Sequence, residues 1–304
     1  NMSCIRSRDS ITITIDNHDP VVTIIAPMED EYIEGQYTFT VFASDDVGIA
    51  AVVLYLDNEA YTMAYNTQTG YYEVTINTAN YADDIYNLSA SAMDLSGNMS
   101  STAVYTINID NNAPVLSILN PGDGETIAGI VNITADVEDA FLADVELRMD
   151  NGAWISMDVF NDTYYHVLNC SLYMDGEHVI YVRATDAMGR ITMESITVVI
   201  DNSYPEISIV TPVSGQFISG AFIFQVFADD YVGIVDVYLE IGEEVYTMGY
   251  NAQNGYYEVM VYTTLYDDGT YTVWAYAVDE SGYMSTTNIS INICLLYTSP
   301  SPRD

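Results

Sequence analysis

Lysine is absent from this chain of 304 residues, and only six basic residues stand against 44 acidic ones. The formal net charge is −38. Binding to phosphate backbones relies on lysine and arginine displacing counter-ions, so the composition argues against nucleic acid as a partner. It argues equally against docking on an anionic membrane. Long apolar runs are missing too: the longest, Ile49 to Leu56, is strand-sized and far short of the roughly 20 residues of a spanning helix. Direct membrane insertion is not expected. Cysteine is scarce, with only Cys4, Cys170 and Cys294, too few for a disulfide framework or a structural zinc site. Cys170 reads as a small buried hydrophobe. The histidines are His18, His166 and His178, and none has metal-ligand spacing. The chain shows no Gly-x-Ser-x-Gly elbow, no phosphate-cradling glycine loop and no pairing of nucleophile with base. The sequence reads as non-enzymatic.

The apolar content is nevertheless ample. Hydrophobic residues make up 49% of the chain and aromatic residues 12%, which separates it from acidic disordered tails. A folded chain this negative repels itself, and salt, divalent cations or wide charge spacing must relieve that repulsion.

Internal repetition is strong. Ile15-Asp16-Asn17-His18-Asp19-Pro20 recurs as Ile109-Asp110-Asn111-Asn112-Ala113-Pro114 and as Ile200-Asp201-Asn202-Ser203-Tyr204-Pro205. Each proline opens an alternating apolar stretch that ends at a second proline, Pro27, Pro121 or Pro212. The first and third repeats match without a gap: Tyr61 to Asn66 returns as Tyr246 to Asn251, and Gly70-Tyr71-Tyr72-Glu73-Val74 as Gly255-Tyr256-Tyr257-Glu258-Val259. The units are about 90 residues long, the size of a small sandwich domain.

Within a unit the apolar period is two: Tyr37, Phe39, Val41 and Ala43 alternate with Thr38, Thr40 and Phe42, the pattern of a strand with one face on a core. In the first unit strands are expected near 21–25, 36–43, 49–56, 60–65, 71–77, 86–93 and 101–109. The fold class is therefore all-β: three tandem seven-stranded antiparallel sandwiches with Greek-key connections.

Three motifs recur: the Asp-Asn-x-x-Pro linker, the acidic turn of Ala43 to Gly48 and Ala228 to Gly233, and an Asp-x-x-Gly step at Asp94, Asp186 and Asp279. With these motifs the chain resembles the bacterial and archaeal immunoglobulin-like (Big-type) repeats of secreted and surface proteins. The resemblance covers Ile11 to Ile293 and implies Ig-like sandwiches in an extracellular or cell-surface setting. Expected boundaries are 1–19 for the end of a preceding repeat plus linker, then 20–111, 112–202 and 203–293. Residues 294–304 resemble a translated sequencing adapter, so the natural chain is expected to continue beyond Ile293. In the middle unit Phe141 replaces the turn glycine, and the first and third units should be the more alike.

A tyrosine corner is expected at Tyr86 and Tyr271, with His178 in the equivalent place. In Greek-key sandwiches this residue packs inward and bonds a nearby carbonyl.

The acidic residues offer a second chemistry. In an immunoglobulin-type sandwich two loops and the incoming linker meet at one pole. There the first unit presents Asp16, Asp45, Asp46 and Asp94; the second presents Asp110, Glu138, Asp139 and Asp186; the third presents Asp201, Asp229, Asp230 and Asp279. Converging carboxylates repel unless a cation joins them, and calcium takes six to eight such oxygens. The linkers also resemble the Asp-rich junctions of cadherin-like repeats, which implies stiffening by Ca2+. The plainer use of the same residues is turn formation, since aspartate caps turns.

The 27 tyrosines likewise read two ways, as stiffeners of strand faces or as a platform for a glycan. The function expected from all this is a spacer, stalk or adhesion module of a larger surface or secreted protein. Its partners would be the neighbouring Ig-like domains of the same chain and a surface protein or glycan ligand. The rival reading makes the repeats accessory binding domains of a larger secreted hydrolase.

Overall fold

A computed structural model describes residues 15–294. The expected adapter-like tail lies outside the described residues except for Cys294, and so does the opening segment before Ile15. The described chain is mostly strand joined by turns and loops, and its helices are short 3₁₀ turns such as Thr78–Asn80. Its sheets follow one another in three pairs.

Two compact units gather these residues. One holds the first repeat with Val137–Asp144 and Ala184–Thr192; the other holds Leu116–Asp136, Val145–Arg183 and the third repeat. In the first repeat one sheet runs Val21–Ala26, Gln36–Ser44, Tyr71–Asn77, Ala64–Asn66, all antiparallel. The other runs Tyr32–Ile33, Tyr105–Ile109, Asp84–Asp94, Ile49–Leu56, Glu59–Thr62, with Met99–Ser101 alongside Asp84–Asp94. The third repeat has the same order, from Glu206–Thr211 onward.

The alternation read from the sequence becomes the core. Phe39, Val41, Val52, Leu54, Leu56, Leu88, Ile107 and Ile109 are buried between the two sheets of the first repeat. Phe224, Val226, Val237, Leu239, Ile241, Val273 and Ile291 do the same in the third. Alternate residues of each strand point to opposite faces, so one face closes the core and the other stays accessible.

Two expected elements differ. The strand expected over 60–65 is broken at Met63, whose buried side chain and N–H to the Val52 carbonyl at 2.9 Å mark the point where the chain leaves one sheet for the other. The last strand, expected over 101–109, is split into Met99–Ser101 and Tyr105–Ile109. The sheet also gains Tyr32–Ile33, which pairs parallel with Asn108 and Ile109. The second proline of each repeat follows a cis peptide bond, at Ala26-Pro27, Asn120-Pro121 and Thr211-Pro212.

The corner residues behave alike. Tyr86 donates its hydroxyl to the Ala82 carbonyl at 3.0 Å and Tyr271 to Asp267 at 3.1 Å. His178 reaches the Met174 carbonyl from Nε2 at 2.9 Å, the same four-residue return.

Candidate functional site: the acidic poles

Each pole is assembled from three backbone features. The Asp-x-x-Gly step closes a tight hairpin turn, in which Gly97, Gly189 and Gly282 have φ of 97°, 84° and 84°, values that an L side chain rarely adopts. The aspartate that opens the turn holds it through its side chain. Asp94 Oδ1 accepts the N–H of Ser96, Gly97 and Asn98 at 2.7, 2.6 and 2.9 Å. Asp186 Oδ1 accepts from Arg190 N at 2.8 Å, and Asp279 Oδ1 from Tyr283 N at 2.9 Å. The facing loop is held by its own Asx turn: Asp45 accepts from Val47 N at 3.0 Å, Asp139 from Phe141 N at 2.7 Å and Asp230 from Val232 N at 3.1 Å. The third contributor is the linker aspartate. Asp110 and Asp201 are fixed by backbone bonds to the Ile33 and Ile127 carbonyls, both at 3.1 Å.

The member of each acidic pair that joins the linker and hairpin aspartates is Asp45 in the first repeat and Asp230 in the third. Asp16, Asp45 and Asp94 bring oxygens within 4.8 Å of one another, and so do Asp201, Asp230 and Asp279. Asp46 joins Asp16 and His18 in a second, more exposed group, 3.4 Å from His18. Glu138 and Asp229 are exposed last residues of strands, with Asp229 paired to Glu206. Neighbouring residues at a strand end face opposite ways, so Asp139 and Asp230 turn in where Glu138 and Asp229 turn out; Asp45 and Asp46 both lie past the end of their strand.

The middle pole holds a residue the sequence reading left unassigned. Arg190 donates from Nε to Asp186 Oδ2 at 2.9 Å, from Nη1 to Glu34 at 2.6 Å, and from Nη2 to Asp110 Oδ1 and to the Asn112 carbonyl, the latter at 3.0 Å. Asp110 and Asp186 are buried. Burial pushes the Asp110 carboxyl up to about 6; Arg190 opposes the rise, while Asp186, Asp139 and Asp83 add to it. Asp139 is raised as well, first by burial. The signal available in the sequence was position: Arg190 immediately follows the Asp-x-x-Gly step, and the chain has few arginines.

The same position is Asn98 in the first repeat and Tyr283 in the third. Asn98 donates its amide to Asp94 Oδ2 at 2.8 Å. The Tyr283 ring packs instead against Tyr204, centroid to centroid 4.7 Å, and Asp279 Oδ2 is buried without a hydrogen-bond partner among the described residues. Asp230 is raised first by burial, then by Asp201, Asp279 and Asp175. Asp201 Oδ1 accepts from Ser203 N and Oγ at 3.1 and 2.8 Å, and its Oδ2 from Ser281 Oγ.

A different surface marks the outer sheet faces. In the third repeat Tyr238 pairs with Tyr276 and Glu240 with Trp274 on adjacent strands. Tyr276 donates to Glu240 at 2.7 Å, and Trp274 is exposed. In the second repeat the corresponding face is closed by a stack, with Arg148 and Arg183 at 4.7 and 4.2 Å from the Trp154 ring centre. Cys170 is buried, as expected, and burial pushes its thiol up.

Sheet order, corner residues and repeated poles define a class: tandem immunoglobulin-like β-sandwich repeats. Residues 20–90 and 205–275 match the bacterial Ig domain family.

Among solved structures the chain is similar to the fibronectin(III)-like modules of Clostridium thermocellum CbhA, with 20% identity, 60% of this chain and 95% of that one covered, and a TM-score of 0.34. It is similar to a fragment of a 1.5-MDa bacterial ice-binding adhesin, with 18% identity, 92% and 100% covered, and a TM-score of 0.34. It is also similar to the endo-beta-1,4-mannanase of Thermotoga petrophila, with 20% identity, 30% of this chain and 20% of that one covered, and a TM-score of 0.28. The comparison with curated proteins gave no match. No helix among the described residues is long and apolar enough to cross a membrane.

Proposed function

We propose that the chain is a non-enzymatic, extracellular repeat array serving as a spacer or adhesion module of a larger surface or secreted protein. The observation that carries this reading is repetition. The sheets come in three pairs, two repeats match the bacterial Ig domain family, and what recurs at each linker is the same aspartate, loop and hairpin step. The polar corner groups have structural partners: His178 bonds Asp150 from Nδ1 at 2.7 Å and Met174 from Nε2. The charge of −38 suits a saline setting in which repulsion is screened. To test the reading, the chain is placed between a cell-surface anchor and an epitope tag, and the tag height is measured with and without residues 112–202. A spacer lowers the tag by about one repeat on deletion. An unchanged height contradicts it.

A second reading, an accessory glycan-binding module of a secreted hydrolase, is favoured by one surface. Tyr238, Trp274, Tyr276 and Glu240 form an aromatic and acidic strip on the outer face of the third repeat. Flat rings beside a hydrogen-bonding carboxylate suit a sugar face. Retention of the chain on an insoluble polysaccharide, lost on Trp274→Ala, would select this reading; no retention on any polysaccharide would remove it.

A further inference from the structure

We infer that the pole formed by Asp201, Asp230 and Asp279 binds one divalent cation of calcium's chemistry, in the place where the middle repeat carries the guanidinium of Arg190. This goes beyond the spacer reading and does not depend on it.

In all three repeats the Asp-x-x-Gly aspartate spends Oδ1 on the turn. Its Oδ2 is then served by the residue four positions on: the Asn98 amide at 2.8 Å in the first repeat and Arg190 Nε at 2.9 Å in the second. Tyr283 gives Asp279 only its backbone N–H, to Oδ1, and its ring lies against Tyr204. Asp279 Oδ2 is therefore left buried and unpartnered. Leaving a buried charged acceptor unsatisfied is costly, and two further carboxylates within 4.8 Å raise that cost.

The middle repeat shows how the fold meets the same demand at the hairpin aspartate, while Asp110 Oδ2 beside it stays buried without a partner among the described residues. There the hairpin and linker aspartates, Asp186 and Asp110, share a single cation, supplied by the chain itself. The third repeat keeps both aspartates, as Asp279 and Asp201, has Asp230 where the middle repeat has Asp139, and has no basic side chain at the fourth position. An ion from solution completes the set.

Donor chemistry and hydration select the ion. The ligands are all oxygen, which favours hard cations over zinc. The three carboxylates bring oxygens within 4.8 Å of one another, close enough to share one ion, and calcium is favoured because magnesium gives up its waters reluctantly. The first pole carries no such inference, because both oxygens of Asp94 already have donors.

The test is calorimetric titration of CaCl2 into the chelator-treated full chain at pH 7 in 150 mM NaCl, with MgCl2 in parallel. One site per chain is expected, with a dissociation constant of roughly 10⁻⁴ to 10⁻³ M as in other extracellular modules and at least tenfold weaker magnesium binding. Asp230→Asn should weaken the site, and Tyr283→Arg should abolish it, since the new guanidinium takes the ion's place in a folded protein. Arg190→Gln should leave calcium binding unchanged. No saturable heat up to 10 mM calcium, or full binding retained in Tyr283→Arg, overturns the inference. A null titration leaves the spacer reading standing, and a failed tag-height test leaves this site standing.

Discussion

Arg190 Nε meets Asp186 Oδ2 at 2.9 Å, the slot that Asn98 fills toward Asp94 at 2.8 Å in the preceding repeat. One backbone position thus decides how each hairpin aspartate is neutralised. Arg190 goes further than Asn98, because it also bridges to Asp110 and Glu34. Removing one partner of a buried ion pair leaves the other charge uncompensated. Arg190→Gln should therefore cost about 3 kcal/mol, the lower end for such losses, since Arg190 keeps some solvent contact. Urea unfolding would read it; a loss below about 1 kcal/mol would show that the guanidinium is dispensable.

A pH signature follows from His178, the histidine at the tyrosine corner. Burial lowers its pKa, but bonds to Asp150 and the Met174 carbonyl outweigh burial and leave it raised above 6.5. Asp150 is lowered below 3.8, its bonds to Val179 N and His178 overcoming burial. The raised histidine adds stability that is fully present below its unfolded pKa and is lost as pH rises through the folded value. The lowered aspartate adds stability that is present above its unfolded pKa and is lost as pH falls. The pair thus helps most between about pH 4 and pH 6.5. His178→Tyr, the residue that Tyr86 and Tyr271 supply in the sister repeats, should flatten melting temperature above pH 6.5. An unchanged slope in the variant would assign the pH dependence elsewhere.

Core dependence is equally direct. Phe39 and Phe224 occupy equivalent, fully buried positions between paired sheets. Phe224→Ala should cost about 3–5 kcal/mol through lost transfer energy and a residual cavity. A cost under 1 kcal/mol by chemical denaturation would mean that the site collapses or was never packed.

These cases show how far the residues alone lead. Alternation at Tyr37 to Ala43 announced the strand and its inward face, and the corner bonds of Tyr86, His178 and Tyr271 follow from position in the motif. The poles were legible as a convergence of aspartates. Which aspartate of each pair arrives was not, because it depends on where the strand ends relative to its pleat, as Glu138 and Asp229 show. Arg190 was hidden for another reason: its partners Glu34 and Asp110 are distant in sequence, and only the folded chain brings them to it. The break at Met63 was also hidden, since alternation is the same on both sides of a change of sheet.

Charge repulsion should be visible in salt. With a net charge of −38, screening that shortens from about 8 Å at 0.15 M to about 3 Å at 1 M should raise the melting temperature. The trend should appear in calcium-free buffer with sodium chloride. A flat or falling curve would mean that repulsion is not the main destabilising force.

The central claim, that the chain is an array of self-sufficient sandwich repeats bearing load in series, is tested most directly by single-molecule pulling from both ends. With boundaries at 20–111, 112–202 and 203–293, each repeat of about 90 residues should release roughly 300 Å of chain. The trace should show three separate force peaks of nearly equal spacing, with the third-repeat peak strengthened by millimolar calcium. A single cooperative rupture, or unequal steps that ignore these boundaries, would contradict the account.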